Sequence, residues 1–126
     1  MAPVSDVPAV LDVLDPAIPV LPLPEVAERL GQPVSRVYQL LREGQLLAVR
    51  RDRVPVVPAE FLADDPPAVV KGLPGTLTVL HDAGFSDEDI LRWLFTADES
   101  LPGTPIGALR SNRGREVKRR AQALAL

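Results

Sequence analysis

The chain has 126 residues and a mass of 13.6 kDa, which corresponds to one ordinary domain or to one small domain with an appendage. Its 46% hydrophobic and 25% charged residues and its formal net charge of −3 are ordinary for a globular protein, and they exclude a wholly disordered or collagen-like chain. The chain has no cysteine and one histidine, which excludes disulfide scaffolds, thiolate metal sites and cysteine nucleophiles, so we expect no metal and no cofactor.

Residues 1–22 predict a flexible, proline-rich acidic arm. Prolines at positions 3, 8, 16, 19 and 22 prevent a long helix and remove backbone donors from any strand. A secretory signal would be positively charged with a clean apolar stretch, whereas this segment is acidic. No apolar run approaches the roughly 18 to 20 residues that span a bilayer. We therefore expect a cytoplasmic protein that makes no contact with a membrane.

Residues 23–63 predict a winged helix-turn-helix domain. A first helix begins at Pro24, which suits a first helical position, and ends at Gly31. A second helix, spanning 34–42, has one apolar and one polar face. The apolar positions are Val34, Val37, Leu40 and Leu41, and the polar positions are Ser35, Arg36, Gln39 and Arg42, with Tyr38 at the edge.

The second helix is followed by a predicted β-hairpin, the wing. Two β-rich runs lie on either side of a polar turn at 50–53, which contains three arginines, Arg50, Arg51 and Arg53. After the wing, residues 59–62 predict a short helix and residues 64–67 a loop.

The charges of the chain are strongly segregated. Residues 1–28 carry a net charge of −5, residues 29–58 carry +4, residues 59–109 carry −7 and residues 110–126 carry +5. Because phosphate binding depends on local rather than total charge, the two basic segments favour a nucleic-acid partner within an acidic protein.

Residues 68–126 predict a C-terminal helical domain that packs on or beside the winged domain. One helix covers 73–83, Ser86 caps the next, Thr104 begins a short third helix, and a last helix begins near Arg113. The predicted fold class is therefore mainly α: a winged helix-turn-helix with a short two-stranded wing plus a C-terminal helical bundle.

The order of helix, glycine-containing turn, helix and hairpin resembles the helix-turn-helix of excisionase and MerR-type DNA-binding domains. The stretch PEVAERLGQPVSRVYQLLREGQLLAVRRDRVPVVP carries the resemblance, in particular Val37-Tyr38, Leu41, Arg42-Glu43-Gly44 and Leu46. The resemblance implies that residues 34–42 enter the major groove of double-stranded DNA, which admits one α-helix.

That placement implies two sets of DNA contacts. Base contacts would fall to Ser35, Arg36 and Gln39, because arginine can pair with guanine and glutamine with adenine in a bidentate manner. Tyr38 is either a further contact or half-buried packing. The phosphate contacts, which orient the protein without specifying sequence, would fall to Arg42, Arg50, Arg51 and Arg53.

Over roughly residues 20–126, the chain resembles a family of small actinobacterial DNA-binding proteins with a winged helix-turn-helix and a dedicated C-terminal helical region. The segments VVKGLPGTLTVLHDAGFSDEDILRWLF and REVKRRAQALAL carry this likeness. It implies a bacterial DNA-binding regulator whose last helices pack against the winged part. Our first hypothesis is a transcription regulator that is associated with the nucleoid.

Two other functions remain open. Residues 93–121 resemble the C-terminal domain of antitoxins that neutralise NAD-degrading toxins, which implies a protein partner bound through residues 73–126. The resemblance lies in Trp93-Leu94, Leu101, Gly103, Thr104-Pro105, Leu109 and Val117. Alternatively, a basic patch on the last helix adds phosphate contacts in a nucleoid-type binder that ignores sequence. The patch consists of Arg113, Arg115, Lys118, Arg119 and Arg120.

The oligomeric state is also open. One winged domain covers one half-site, so a homodimer is a further alternative. The apolar region 90–109 could either cover the winged core or pair two chains.

Nothing in the sequence favours an enzyme. The acids at 87–89 follow Ser86 and are explained by helix capping and the helix dipole. His81 and Asp82 are neighbours on a predicted helix, where adjacent residues do not face each other. The segment 72–75 contains two glycines but lacks the lysine-serine pair of a phosphate-binding loop.

Overall fold

The computed structural model describes residues 7–126, in which six α-helices accompany two small β-sheets. The strands are β1 Val10–Leu11, β2 Val20–Pro22, β3 Val49–Arg51, β4 Val54–Pro58, β5 Leu62–Asp64 and β6 Pro67–Val69. The helices are α1 Leu23–Leu30, α2 Val34–Arg42, α3 Leu73–Asp82, α4 Asp87–Leu94, α5 Pro105–Arg110 and α6 Gly114–Leu124, with a 3-10 turn at Ala59–Phe61. The first six residues of the predicted arm lie outside the described residues.

Helices α1 and α2 form the predicted helix-turn-helix. Helix α1 ends at Gly31, whose φ of 65° lies in the left-handed region that glycine adopts at little cost. Val26 of α1 and Val37 of α2 are both completely buried. Burying two such side chains contributes about 3 to 6 kcal/mol of transfer free energy, so the apolar face of α2 is held against α1 and its polar face is turned outward.

The wing belongs to a four-stranded sheet with the order β1-β3-β4-β2. Strands β3 and β4 form an antiparallel hairpin in which Val49 lies opposite Val56. Asp52 and Arg53 form its two-residue turn, and their φ angles of 51° and 67° are positive, as a type I′ turn requires. Strand β2 is antiparallel to β4, and β1 is parallel to β3.

The structure corrects the predicted mainly α fold with a two-stranded wing, because 46% helix is accompanied by 16% strand. Two of the additional strands, β1 and β2, come from the segment that was expected to be a flexible arm. Both lie at edges of the sheet, where hydrogen-bond donors are needed on one side only, so the prolines of this segment do not prevent pairing. Leu14 and Leu21 are buried, and the segment thereby contributes to the core.

A second correction concerns the connection between the two domains. The predicted short helix at 59–62 is a 3-10 turn that ends at Phe61, and the predicted loop at 64–67 forms the tip of the antiparallel hairpin β5–β6. This hairpin buries Leu62 and begins directly after the 3-10 turn that follows the wing, so the chain passes from one domain to the other without an extended linker.

The C-terminal domain consists of α3 to α6. Two predicted caps are confirmed: Ser86 Oγ accepts a hydrogen bond from the Asp89 amide, and Thr104 Oγ1 accepts one from the Gly107 amide. Helix α6 packs against α3 and buries Val117 completely. The other fully or nearly buried side chains of this domain include Leu73, Leu77, Leu80, Ile90, Leu91, Leu94, Leu101, Ile106 and Leu109.

The two domains pack against each other. The rings of Phe61 and Phe95 lie with their centroids 5.7 Å apart. The guanidinium of Arg110 donates to the carbonyl oxygens of Glu60 and Leu62 at 2.9 and 2.7 Å. Most aliphatic side chains of the region 90–109 are buried within the single chain, and Trp93 and Phe95 are half-buried, which favours the first of the two roles predicted for that region. None of the helices in residues 7–126 is long and apolar enough to cross a membrane.

Candidate nucleic-acid interface

Helix α2 presents a polar surface on the side opposite its packing against α1. Its buried residues are Val37, Leu40 and Leu41. Ser35, Gln39 and Arg42 are exposed, and Arg36 retains 40% of its side-chain surface. The structure therefore brings the predicted base-contacting residues Ser35, Arg36 and Gln39 onto one accessible helix face.

Tyr38 lies at the border of that face. It is half-buried and packs against the hydrophobic core, so its ring contributes to folding. This position corresponds to the packing alternative that the sequence left open.

Glu43 is a member of this surface that the sequence analysis missed. Its Oε2 accepts a hydrogen bond from Gln39 Nε2 at 3.2 Å, and its Oε1 lies 3.8 Å from Arg36 Nη1. The carboxylate of Glu43 thus holds the side chains of Arg36 and Gln39, which are both predicted to form bidentate contacts with bases, toward the C-terminal end of α2. The i, i+4 spacing of Gln39 and Glu43 is the sequence pattern that could have predicted part of this contact.

Arg51 lies in the wing, as predicted, and its guanidinium is bound within the chain. Its Nε donates to Asp12 Oδ2 at 2.6 Å, its Nη2 lies 3.3 Å from Asp12 Oδ1, and its Nη1 donates to the Ile18 carbonyl at 2.9 Å. The hydrogen bond from Arg51 is the main reason that the pKa of Asp12 lies below its usual range. The guanidinium of Arg51 thus binds residues 12–18 of the same chain, and its phosphate contact stays a prediction.

The other two wing arginines differ from each other. Arg50 Nη2 donates to the carbonyl of Val7 at 3.0 Å, so it also faces the segment that precedes β1. Arg53 is exposed at the tip of the hairpin. Of the three wing arginines, Arg53 therefore has the placement that a phosphate contact requires.

The predicted basic patch on α6 also divides into two groups. Arg113 pairs with Glu116 at 2.6 Å, and Arg120 donates to the hydroxyl and the carbonyl of Ser100 at 2.8 and 2.9 Å. Arg113 is thereby neutralised and Arg120 holds a loop in place. Arg115, Lys118 and Arg119 are exposed.

Among the described residues, no cluster of three or more histidine or acidic side chains is arranged to hold a metal ion. The imidazole Nε2 of His81 lies 2.5 Å from Asp87 Oδ1, at the junction of α3 and α4. This contact joins two helices and does not involve Asp82.

Comparison with known proteins gives consistent matches over most of the chain. Residues 6–62 match the family model described as the wHTH domain of DNA-binding protein Rv2175c, and residues 70–125 match the Rv2175c C-terminal domain of unknown function. The DNA-binding protein Rv2175c of Mycobacterium tuberculosis (strain ATCC 25618 / H37Rv) is 50% identical over 137 residues, which cover 99% of this chain and 93% of that protein. An NMR structure of Rv2175c superimposes with a TM-score of 0.85, covering 95% of this chain and 90% of that one.

Proposed function

The chain belongs to the family of the actinobacterial winged helix-turn-helix protein Rv2175c, and we propose that it binds double-stranded DNA and regulates transcription. The observation that carries this proposal is the orientation of α2. Its apolar face is locked onto α1 while Ser35, Arg36 and Gln39 project together into solvent. A helix held in this way can enter the major groove without unfolding any part of the domain.

In the complex, α2 reads the bases. Arg36 and Gln39 carry the side chains that form bidentate hydrogen bonds to guanine and adenine, respectively. Both now contact Glu43, so DNA binding exchanges those contacts for contacts to base edges. Arg42 at the end of α2 and Arg53 at the wing tip contact phosphates on either side of the groove and fix the register of the helix.

We propose that Arg53 is the wing arginine that contacts a phosphate. Arg51 is left out, because its guanidinium already binds Asp12 and the carbonyl of Ile18. Arg50 is left out because it faces Val7. The wing therefore contributes one phosphate contact, from Arg53 at its tip. Strands β3 and β4 hold this tip in its position relative to α2.

The proposal is tested by capture of genomic DNA. Fragmented DNA of the source organism is incubated with the purified protein at about 0.15 M salt, where a specific complex survives and nonspecific contacts are weakened. We expect a few enriched fragments that share a short motif. A motif with two-fold symmetry would show that two chains bind together, and reporter transcription from such a site would show the sign of regulation.

Two results would contradict the proposal. Uniform recovery of fragments would indicate a nucleoid-type binder that ignores sequence. Recovery of no DNA at any salt concentration would remove DNA as the partner and leave a protein that binds through residues 73–126. The same experiment with Arg36→Ala tests whether α2 reads the bases. This variant should no longer enrich the specific fragments, while its nonspecific binding to DNA should persist.

A further inference from the structure

A groove of about 480 Å³ lies between the start of α3 and the start of α6 in the C-terminal domain. We name it the basic groove. Its charged lining residues are Lys71, Arg113, Arg115, Glu116 and Lys118. Arg113 and Glu116 pair with each other at 2.6 Å, which leaves three positive charges without a balancing acid in the lining.

The three remaining cations are available to a ligand. Lys71, Arg115 and Lys118 are exposed, and their side-chain nitrogens form no ion pair or hydrogen bond within residues 7–126. Arg119 lies four positions after Arg115 and therefore on the same face of α6. These cations stand on an acidic protein whose segment 59–109 carries a net charge of −7. A local concentration of unpaired positive charge therefore points to a polyanionic partner.

The first turn of α3 is shared by the basic groove and by a second groove that includes residues of α2. The second groove, of about 280 Å³, contains Arg36 and Leu40 of α2 together with Pro74 of α3. Gly75, the residue after Pro74, lines the basic groove. Pro74 and Gly75 are consecutive residues, so the first turn of α3 contributes to the lining of both grooves. A partner that extends from Arg36 across the first turn of α3 would therefore reach the basic groove.

We propose that the basic groove is a second DNA-binding surface, in which Lys71, Arg115 and Lys118 contact phosphates that flank the site bound by α2. This inference rests on the proposed function. A duplex is the occupant that fits, because the groove is open to solvent and its cations are distributed over two helix starts, as a row of phosphates requires. The C-terminal domain then lengthens the contact with DNA and contributes affinity without sequence preference.

The test compares single alanine variants on one duplex. Each lost phosphate contact lowers the slope of log affinity against log salt by about 0.9, which corresponds to about fivefold weaker binding at about 0.15 M salt. We expect this loss for Arg115→Ala and for Lys118→Ala, on the enriched site and on unrelated DNA alike. The matched control is Arg92→Ala, which removes an exposed arginine of α4 outside both grooves and should bind as the parent does.

Duplex length supplies a second measurement. The parent should bind more tightly when the flanks of the site are extended, and in Lys118→Ala that gain in affinity should be about fivefold smaller. Circular dichroism and the urea midpoint establish that each variant is folded, and the two variants provide independent tests since both side chains are exposed.

The outcomes separate the two proposals. If the parent binds its site and both variants match it in affinity and salt slope, the second surface is overturned while the proposed function stands. If the parent binds no duplex, the proposed function fails and the second surface fails with it. Inorganic phosphate alone is titrated while the amide resonances of Gly72, Gly75 and Gly114 are followed by NMR. Phosphate binding there, combined with unchanged DNA binding by the variants, would assign the groove to a free phosphate instead.

Discussion

Asp12 and Arg51 form a two-point ion pair between residues that lie 39 positions apart in the chain. Both side chains retain 20% of their surface, so water screens the pair only in part. Arg51 also donates to the carbonyl of Ile18, and one guanidinium thereby ties both ends of the β1–β2 connection to the wing. The segment before α1 is thus fastened to the hairpin that presents Arg53.

Asp12→Ala should destabilise the protein by about 1 to 2 kcal/mol. The variant leaves the guanidinium of Arg51 without its charged acceptor, and hydrogen bonds to charged groups contribute more than neutral ones. The free energy of unfolding is measured from urea titrations. The control is Glu99→Ala, which removes an exposed acid of the C-terminal domain, and we expect its effect to stay below about 0.5 kcal/mol. Equal stability of Asp12→Ala and the parent would show that the pair contributes nothing.

The same pair predicts the direction of a pH effect. The hydrogen bond from Arg51 lowers the pKa of Asp12 in the folded state below that of the unfolded chain. A carboxyl with a depressed pKa stabilises the fold above its unfolded pKa, about 3.9, and this stabilisation is lost as pH falls through the folded pKa. The difference in unfolding free energy between the parent and Asp12→Ala should therefore be largest near neutral pH and shrink below about pH 4. A difference that is constant from pH 7 to pH 3 would contradict the assignment.

The helix-turn-helix was predictable because all the local sequence signals in this segment favour the same structure. The apolar spacing of α2 and the left-handed glycine after α1 are encoded within a few residues. The strands β1 and β2 were not predictable in this way, since their partners β3 and β4 lie more than 30 residues further along the chain. Proline content argued against strands, and only the position of these strands at the sheet edges removes that objection.

In the candidate interface, too, the residues placed by local periodicity were predictable, and those placed by distant contacts were not. Periodicity placed Arg36 and Gln39 on the exposed face of α2, and the structure has them there. Composition could not distinguish Arg51 from Arg53, although the two are separated by one residue. Their roles differ because one guanidinium meets an acid from a distant segment while the other sits at a hairpin tip.

Arg36→Ala and Arg53→Ala should weaken DNA binding in different ways. If Arg36 pairs with a guanine, its loss costs about 1 to 3 kcal/mol at the preferred site and much less elsewhere. If Arg53 contacts a phosphate, its loss weakens all sequences alike and lowers the salt slope by about 0.9. Fluorescence anisotropy on the preferred site and on a scrambled duplex, at several salt concentrations, separates the two effects. An Arg36→Ala protein that binds both duplexes as the parent does would remove Arg36 from base reading.

Glu43→Gln should tighten DNA binding by about 1.4- to 5-fold. In the free protein Glu43 holds Arg36 and Gln39, and an exposed pair of this kind is worth about 0.2 to 1 kcal/mol, which DNA must displace. Loss of a negative charge beside DNA also tightens binding. A double-mutant cycle that combines Glu43→Gln with Arg36→Ala therefore measures the contribution of the Arg36–Glu43 pair separately. Glu99→Gln, which removes an exposed acid from the C-terminal domain, is the control. The same gain from Glu43→Gln with and without Arg36 would exclude a role for the pair.

Gly44→Ala and Gly75→Ala should change stability in opposite directions. Gly44 follows α2 with a φ of 71°, and a Cβ there would lie 3.5 Å from Nδ1 of His81. The left-handed conformation costs an alanine about 1 to 2 kcal/mol, so we expect the urea midpoint to fall by a corresponding amount. Gly75 lies in the first turn of α3 with a φ outside that region, and a Cβ there would meet nothing within 4 Å. Alanine at 75 should therefore stabilise the protein by about 0.5 to 1 kcal/mol, since it reduces the entropy of the unfolded chain. A stabilising Gly44→Ala would show that the turn after α2 is not held in the left-handed conformation.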